Sequence, residues 1–520
     1  MWRFAEIKTL PDIVRYWADK RPDKIALIEI SGQRSYAELH SRSSQIASRL
    51  IAAGVTLQAH VGFVGRNCFE FFEIWFAAGK AGCAFVPFNW RSAVEEMRGL
   101  IADATPPIMF VSAEFLPMLR EVQARAAVPF EIVAFDPEMR GKDGLATWIG
   151  DTQDTDPGVK VADTDIALLS YTSGTTGQPK GVQSAHGAFN LSFLCGSLEP
   201  AMAWHDDDIM LMSMPNFHLA GSWVSIAALY HGAALSIIPS FEAAALLTAL
   251  RRDRPSIVPI VPAAMQMLLN EPGVSAGDFI SVRSMMYFGS PISPALLERA
   301  LATFGCEFYQ FYGATEAWFI AILPHVEHVA GAASRLTSCG RPLPLVSMKV
   351  VDLDGEEVPD GTIGELMVRT PMAFSGYWQR PAATAEVLRE GWYRTGDMGR
   401  RDAGGFYYLV DRTKDMIITG GENVYSVEVE QALLMHPAIA MAAVIGLPDE
   451  RWGEKVTAVV VPHEGAAVTE DELRQHCRLH LAGFKVPKTI YFEASLPVTP
   501  AGKIQKPALR ARLRAEEKVP

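Results

Sequence analysis

Through about the first 400 residues, short apolar runs alternate with longer stretches of helical period. Runs at 59–65, 84–87, 166–169, 209–212, 235–238, 257–261 and 285–287 predict short strands, the later ones buried. Residues 68–79, between the first two runs, predict a buried helix and so a strand–helix–strand crossover. Residues 242–251 and 294–304 predict further helices. This alternation implies an α/β domain of stacked layers. The stretch 221–239 is long and apolar, but Tyr230-His231-Gly232 interrupts it. Two buried elements around a turn fit it better than a membrane span.

The texture changes after residue 343. Residues 346–352, 364–368 and 405–410 predict strands joined by Asp-Gly and Gly-Gly turns, a small antiparallel β unit over about 343–411. A charged segment follows, Asp411-Arg412-Thr413-Lys414-Asp415. Beyond it, helices at 427–435 and 470–480 and strands at 440–446 and 456–461 predict a separate α+β lid. The expected division is an N-terminal domain over 1–411, with its β subdomain at 343–411, and a small mobile C-terminal domain over 412–520.

Composition narrows the function. A 520-residue chain that is 49% hydrophobic can bury large cores. Its net charge of −12 argues against non-specific nucleic-acid binding. Six cysteines, at 68, 83, 195, 306, 339 and 477, form no Cys-x-x-Cys and no zinc spacing with histidine, so they read as reduced thiols. Met1-Trp2-Arg3-Phe4 lacks the apolar region of a signal peptide. A cytoplasmic setting is expected. Membrane-surface association and a homodimer stay open.

The strongest chemical signal is Tyr171-Thr172-Ser173-Gly174-Thr175-Thr176-Gly177-Gln178-Pro179-Lys180-Gly181, directly after a strand-like run. Glycines let backbone N–H groups approach a polyphosphate, hydroxyls add donors, and Lys180 adds a mobile positive charge. The spacing departs from the common P-loop, which ends in Gly-Lys-Ser/Thr. A second stretch, Tyr309-Gln310-Phe311-Tyr312-Gly313-Ala314-Thr315-Glu316, offers an aromatic platform for a purine, a hydroxyl for a phosphate and a carboxylate for a hard cation. Asp397, after Thr395-Gly396, can accept both hydroxyls of a ribose, and the fork of Arg412 suits phosphate or ribose oxygens as well as a surface salt bridge. His218 stands in the apolar segment Pro215–Gly221, and Lys503 in the turn Thr499-Pro500-Ala501-Gly502-Lys503.

Taken in order, these stretches resemble the adenylate-forming superfamily of acyl-CoA synthetases, luciferases and peptide-synthetase adenylation domains. The likeness runs from Tyr36-Ala37-Glu38-Leu39 to Lys503 and is greatest to fatty-acyl-CoA and 4-coumarate-type ligases, through Ala84-Phe85-Val86-Pro87-Phe88-Asn89, Lys414-Asp415-Met416-Ile417-Ile418, Gly420-Gly421-Glu422-Asn423-Val424-Tyr425 and Gly446-Leu447-Pro448-Asp449. The resemblance implies an ATP- and Mg²⁺-dependent ligase joining a carboxylic acid to coenzyme A through an acyl-adenylate. By it, Thr172, Ser173, Gly174, Thr175, Thr176, Gly177 and Lys180 cradle the β and γ phosphates. Gly289-Ser290-Pro291 lines the adenine and acyl pockets, where many relatives carry Gly-Gly or Ala-Ala before the proline. Tyr312 stacks on adenine beside Gly313, Thr315 touches the α-phosphate and Glu316 binds Mg²⁺. Asp397 and Arg412 hold the ribose. His218 lies near the acyl carboxylate and the thiol path. Lys503 bridges carboxylate and α-phosphate during adenylation. A rotation about Lys414 then brings Gly421 and Glu422 to the thiol channel. Ser426 stands where many relatives have proline. Trp452, Phe484 and Lys485 are expected at the CoA nucleotide. Trp223, Ala314, Trp318 and Phe319 are expected to line the acyl pocket or pack as core. A medium- or long-chain fatty acid is the first expectation, an aryl or phenylpropanoid acid the second, and loading of a carrier protein the third.

Overall fold

The computed structural model describes the chain apart from residues 1–3, 137–143, 173–178, 291, 330–332, 353, 413–414, 421, 464, 499–503 and 517–520. It divides into two compact units. One comprises Met1–Ser347 and Val368–Tyr393, the other Met348–Met367 and Arg394–Pro520.

The first unit holds two sheets. One is nine-stranded, in the spatial order Arg341–Pro342, Trp318–Leu323, Glu307–Ala314, Ser284–Phe288, Ile257–Ile260, Ile209–Met212, Ala234–Ile237, Ile25–Glu29 and Gly32–Ser35. From Glu307–Ala314 to Ile25–Glu29 the strands run parallel, and antiparallel strands finish each edge. The other is seven-stranded, in the order Gly376–Tyr377, Lys180–Ala185, Ile166–Thr172, Ala84–Pro87, His60–Val64, Ile108–Val111 and Glu131–Ala134. Its last five strands are parallel and its first two pairings antiparallel.

These strands form where largely apolar four- and five-residue runs are buried on both faces, as parallel sheets require. The crossover helix is Phe69–Lys80, one residue from the predicted range and almost wholly buried. Its Phe71 and Trp75 rings pack on Phe85 of the next strand, at 5.3 and 5.5 Å. The apolar stretch 221–239 is a helix, Leu219–Tyr230, and a strand, Ala234–Ile237, as its interruption implies. Between them Gly232 has φ +80°, and a Cβ there would meet the Trp17 ring at 2.5 Å. No helix among the described residues is long and apolar enough to cross a membrane.

The second unit contains two further assemblies, the first carrying antiparallel pairings and the second mixed, with Thr489–Phe492 parallel to its neighbour. In one, Ser347–Val351, Gly364–Arg369, Trp392–Arg401 and Tyr407–Arg412 lie side by side. In the other, the long hairpin Ile439–Asp449 and Gly453–Pro462 pairs with Ile417–Thr419 and Thr489–Phe492, and helices Ser426–Leu434 and Glu470–His480 are present as the sequence implies. Residues 348–367 and 394–411 of the small β unit therefore group with the C-terminal residues. The physical reason is local: Asp411, buried, accepts the backbone N–H groups of Arg412 and Ser426. That bond holds the start of the helix Ser426–Leu434 on the strand Tyr407–Arg412.

Candidate active site

The phosphate-loop candidates begin and end on paired strands. Thr172 closes one strand, Lys180 opens the next, and the two face each other in register. Ser173, Gly174, Thr175, Thr176 and Gly177 lie outside the described residues. A third strand, Gly376–Tyr377, adds to the outer edge of this hairpin. Gly181 permits the approach, because a Cβ there would meet Leu169 at 2.9 Å and Trp378 at 3.3 Å. Asp103 anchors the added strand. It accepts the Tyr171 hydroxyl at 2.7 Å and Arg380 at 2.8 Å, while its carbonyl takes the Trp378 indole N–H at 3.0 Å.

Tyr377 is thereby fixed between the two signature stretches. The Lys180 ammonium lies 4.9 Å from its ring centroid, within cation–π range. Its hydroxyl donates to Glu316 Oε1 at 2.7 Å. Burial, with the Glu316 carboxylate second, pushes the phenol well above its ordinary value, so it stays a donor. Tyr377 thus links the lysine of one stretch to the carboxylate of the other. Sequence reasoning missed it. Its only signal is an aromatic pair after glycine, in Ser375-Gly376-Tyr377-Trp378.

Glu316 is at the tip of the hairpin Glu307–Ala314 and Trp318–Leu323, with Thr315 beside it, both half-buried. The tip is tightly built. The register breaks between Tyr312 and Gly313, and a Cβ on Gly313 would fall 2.3 Å from the Trp318 carbonyl. Trp318 itself has φ +63°, a left-handed conformation that costs a bulky side chain energy. Gly289, at φ +90°, and the exposed Ser290 follow the parallel strand Ser284–Phe288, whose last residue registers with Phe311. Tyr312 is buried one position further on. Ser290 and Gly313–Glu316 thus leave the carboxyl ends of neighbouring parallel strands, where open α/β sheets take ligands. Pro291 lies outside the described residues. His218 precedes the helix Leu219–Tyr230, half-buried, its ring 4.5 Å from Phe217 and its carbonyl accepting the Ser222 hydroxyl at 3.1 Å.

The second unit pairs Asp397 with Arg412 across two strands, Nε to Oδ1 at 3.2 Å. The Asp397 side chain is largely buried and that of Arg412 is exposed. Gly396, at φ +72°, turns the chain, and the Thr395 hydroxyl accepts the Asp397 N–H at 3.0 Å. Glu422 is exposed on the short strand Glu422–Val424. Trp452 is half-exposed, with the Arg451 guanidinium 4.7 Å and the Lys488 ammonium 5.6 Å from its ring. Phe484 is exposed, and Lys485 is held by both oxygens of Glu428 at 2.7 Å. Lys414, Gly421 and Lys503 lie outside the described residues.

Among the described residues no group of three acidic, histidine or cysteine side chains converges as a metal cage. Glu316 is a single carboxylate with one oxygen engaged by Tyr377. That donor set suits Mg²⁺, which keeps waters and substrate phosphates in its shell and takes few protein ligands.

Residues 14–378 match the AMP-binding enzyme family, and residues 428–503 its C-terminal domain. The chain is 38% identical over 518 residues to the fatty acid–[acyl-carrier-protein] ligase ScoC of Streptomyces coeruleorubidus, covering 98% of this chain and 97% of that one. It is 36% identical over 479 residues to the feruloyl-CoA synthase of an Amycolatopsis species, covering 92% and 94%. ATP-bound MatB of Rhodopseudomonas palustris superposes with a TM-score of 0.89 at 28% identity, over 98% of this chain and all of that one. With the Lys180, Tyr377 and Glu316 cluster and the Asp397–Arg412 pair in place, this protein belongs to the family of AMP-binding enzymes.

Proposed function

We propose that this protein is an ATP-dependent carboxylic acid–CoA ligase that works through an acyl-adenylate. The observation that carries the reading is the link from Lys180 through Tyr377 to Glu316, which joins a phosphate-type loop to a cation-type carboxylate. In the first half-reaction an acid oxygen attacks the α-phosphate and pyrophosphate leaves. Lys180 and the loop from Thr172 to Gly177 hold the leaving phosphates. Thr315 donates to the α-phosphate, and Glu316 with Tyr377 holds the metal end of the triphosphate. Bound Mg²⁺ supplies charge neutralisation there. Tyr312, Gly313, Gly289, Ser290 and Pro291 bound the adenine, and Asp397 with Arg412 takes the ribose.

In the second half-reaction the CoA thiol attacks the acyl carbon and AMP leaves. His218 lies on the thiol side. Gly421 and Glu422 flank the channel, while Trp452, ringed by Arg451 and Lys488, with Phe484, offers an aromatic and cationic face to the CoA nucleotide. The proposed lid, 412–520, turns at Lys414, exchanging Lys503 for that channel. Six free thiols suit a reducing cytoplasm.

The two relatives differ in acyl group and acceptor, as their names state: a fatty acid and a carrier protein for one, a feruloyl group and CoA for the other. A holo-carrier protein offered beside CoA decides the acceptor. The ligase itself is tested through Lys503→Ala. The expected result is loss of pyrophosphate release, with thioester formation from supplied acyl-adenylate largely intact. Equal loss of both halves would refute the division of labour.

A further inference from the structure

An aromatic cluster joins three site-bearing segments. Trp223 is on the helix that His218 precedes. Trp318 and Phe319 follow the tip that carries Thr315 and Glu316. Phe288 ends the strand before Gly289 and Ser290. The Phe319 ring contacts members of all three segments: Trp223 at 4.8 Å, Phe288 at 5.5 Å and Phe311 at 4.7 Å. Trp223 lies 6.2 Å from Trp318, which packs edge-on against Phe189 at 4.5 Å. All four of Trp223, Trp318, Phe319 and Phe288 are buried.

The cluster is rigid for identifiable reasons. The Trp223 indole N–H donates to Ser192 Oγ at 2.6 Å, and Ser192 is itself buried and donates to the Phe189 carbonyl. Trp318 keeps its left-handed backbone and a buried indole N–H without a hydrogen-bond partner among the described residues. Both features cost energy, so packing holds this tryptophan against its own preference.

We propose that Trp223, Trp318 and Phe319 form the far wall of the acyl pocket and restrict the enzyme to compact, ring-bearing carboxylic acids, excluding long unbranched chains. This rests on the ligase reading and replaces the fatty acid that the sequence favours. Because Trp223 stands on the helix that His218 precedes, and Trp318 and Phe319 follow Thr315 and Glu316 directly, an acid held by His218 and Thr315 has these rings as its nearest aromatic neighbours along both elements. A long alkyl tail meets rings that are pinned rather than mobile, whereas a planar ring can take the edge-to-face contacts the cluster already uses.

The test compares cinnamate and benzoate with dodecanoate and hexadecanoate, reading kcat/KM for pyrophosphate release and for thioester. Ratios between acids within one preparation are independent of the folded fraction. Wild-type enzyme should favour the aryl acids over hexadecanoate by at least about tenfold, and Trp223→Ala should move that ratio by about tenfold toward the long acids. Trp318→Gly, which suits the left-handed backbone, should move it in the same direction. Equal use of hexadecanoate and cinnamate by the wild type, or an unmoved ratio in both variants, overturns the wall. If no acid yields pyrophosphate, the ligase reading fails, and the wall with it.

Discussion

Tyr377 shows how much one side chain can connect. Its hydroxyl fixes an oxygen of Glu316 and its ring faces the Lys180 ammonium. Removing only the hydroxyl leaves the ring in place and frees the carboxylate. Tyr377→Phe should therefore raise the Mg²⁺ concentration needed for half-maximal pyrophosphate release and slow adenylation by about tenfold, the loss of roughly one hydrogen bond to a charged group. Thioester formation from supplied adenylate should change little. An unaltered Mg²⁺ dependence would leave Tyr377 a packing residue. Individual residues like this are hard to read from sequence. Glu316 and Lys180 announce themselves through their neighbours, but Tyr377 acquires its role from a pairing partner nearly two hundred positions away.

At the scale of elements, the sequence was most legible where burial is uniform. The runs 209–212 and 285–287 became strands Ile209–Met212 and Ser284–Phe288 because nothing polar interrupts them. The two-residue strand Gly376–Tyr377 has too little pattern to find, and its edge position depends on Asp103 far upstream. The left-handed Trp318 follows from tertiary packing and has no sequence mark. Ser426 shows a different limit. As a substitution for proline on a helix entry it looks harmless. In the structure its N–H, which proline lacks, donates to Asp411, and its hydroxyl takes the Lys506 ammonium at 2.6 Å. Asp411 precedes the proposed pivot and Ser426 follows it, so turning about Lys414 separates donor from acceptor. Ser426→Pro keeps a favourable first helical residue and removes only that donor and the hydroxyl. It should alter the ratio of pyrophosphate release to thioester transfer a few-fold, whereas Ser426→Ala, which retains the N–H, should not. The same ratio in both variants would make the contact a helix anchor alone.

Across the whole molecule, stability carries an unusual pH signature. Glu73 is buried in the crossover helix, with Arg42 and Arg34 at 3.5 and 3.7 Å. Burial first, and Glu70 second, raise its carboxyl from 4.5 to about 7, against the pull of the two arginines. The folded state thus binds this proton more tightly than the unfolded chain does. Its contribution is unfavourable above pH 7 and vanishes as pH falls toward 4.5. Glu73→Gln should raise the unfolding free energy at pH 8 by an amount on the order of 1–3 kcal/mol, read as a higher thermal midpoint, and leave it unchanged near pH 4. A gain of equal size at both values would point to packing instead of charge. Lys80, in the same helix, has no exposed side-chain surface, and burial lowers it to about 7 despite Asp156 at 3.6 Å. Its cost to the fold is full below about pH 7 and fades as pH rises toward 10.5, so the Glu73 difference is best read against a common background.

The strand Gly376–Tyr377 also has a bearing on biosynthesis. Everything it braces, from Thr172 through Lys180 to Glu316, leaves the ribosome earlier, and the seven-stranded sheet awaits this last short member to complete its edge. A nascent chain halted before that point would carry Lys180 and Glu316 with no phenol to join them. The bridge from Lys180 to Glu316 is therefore completed late in translation, as one of the last contacts the first unit acquires.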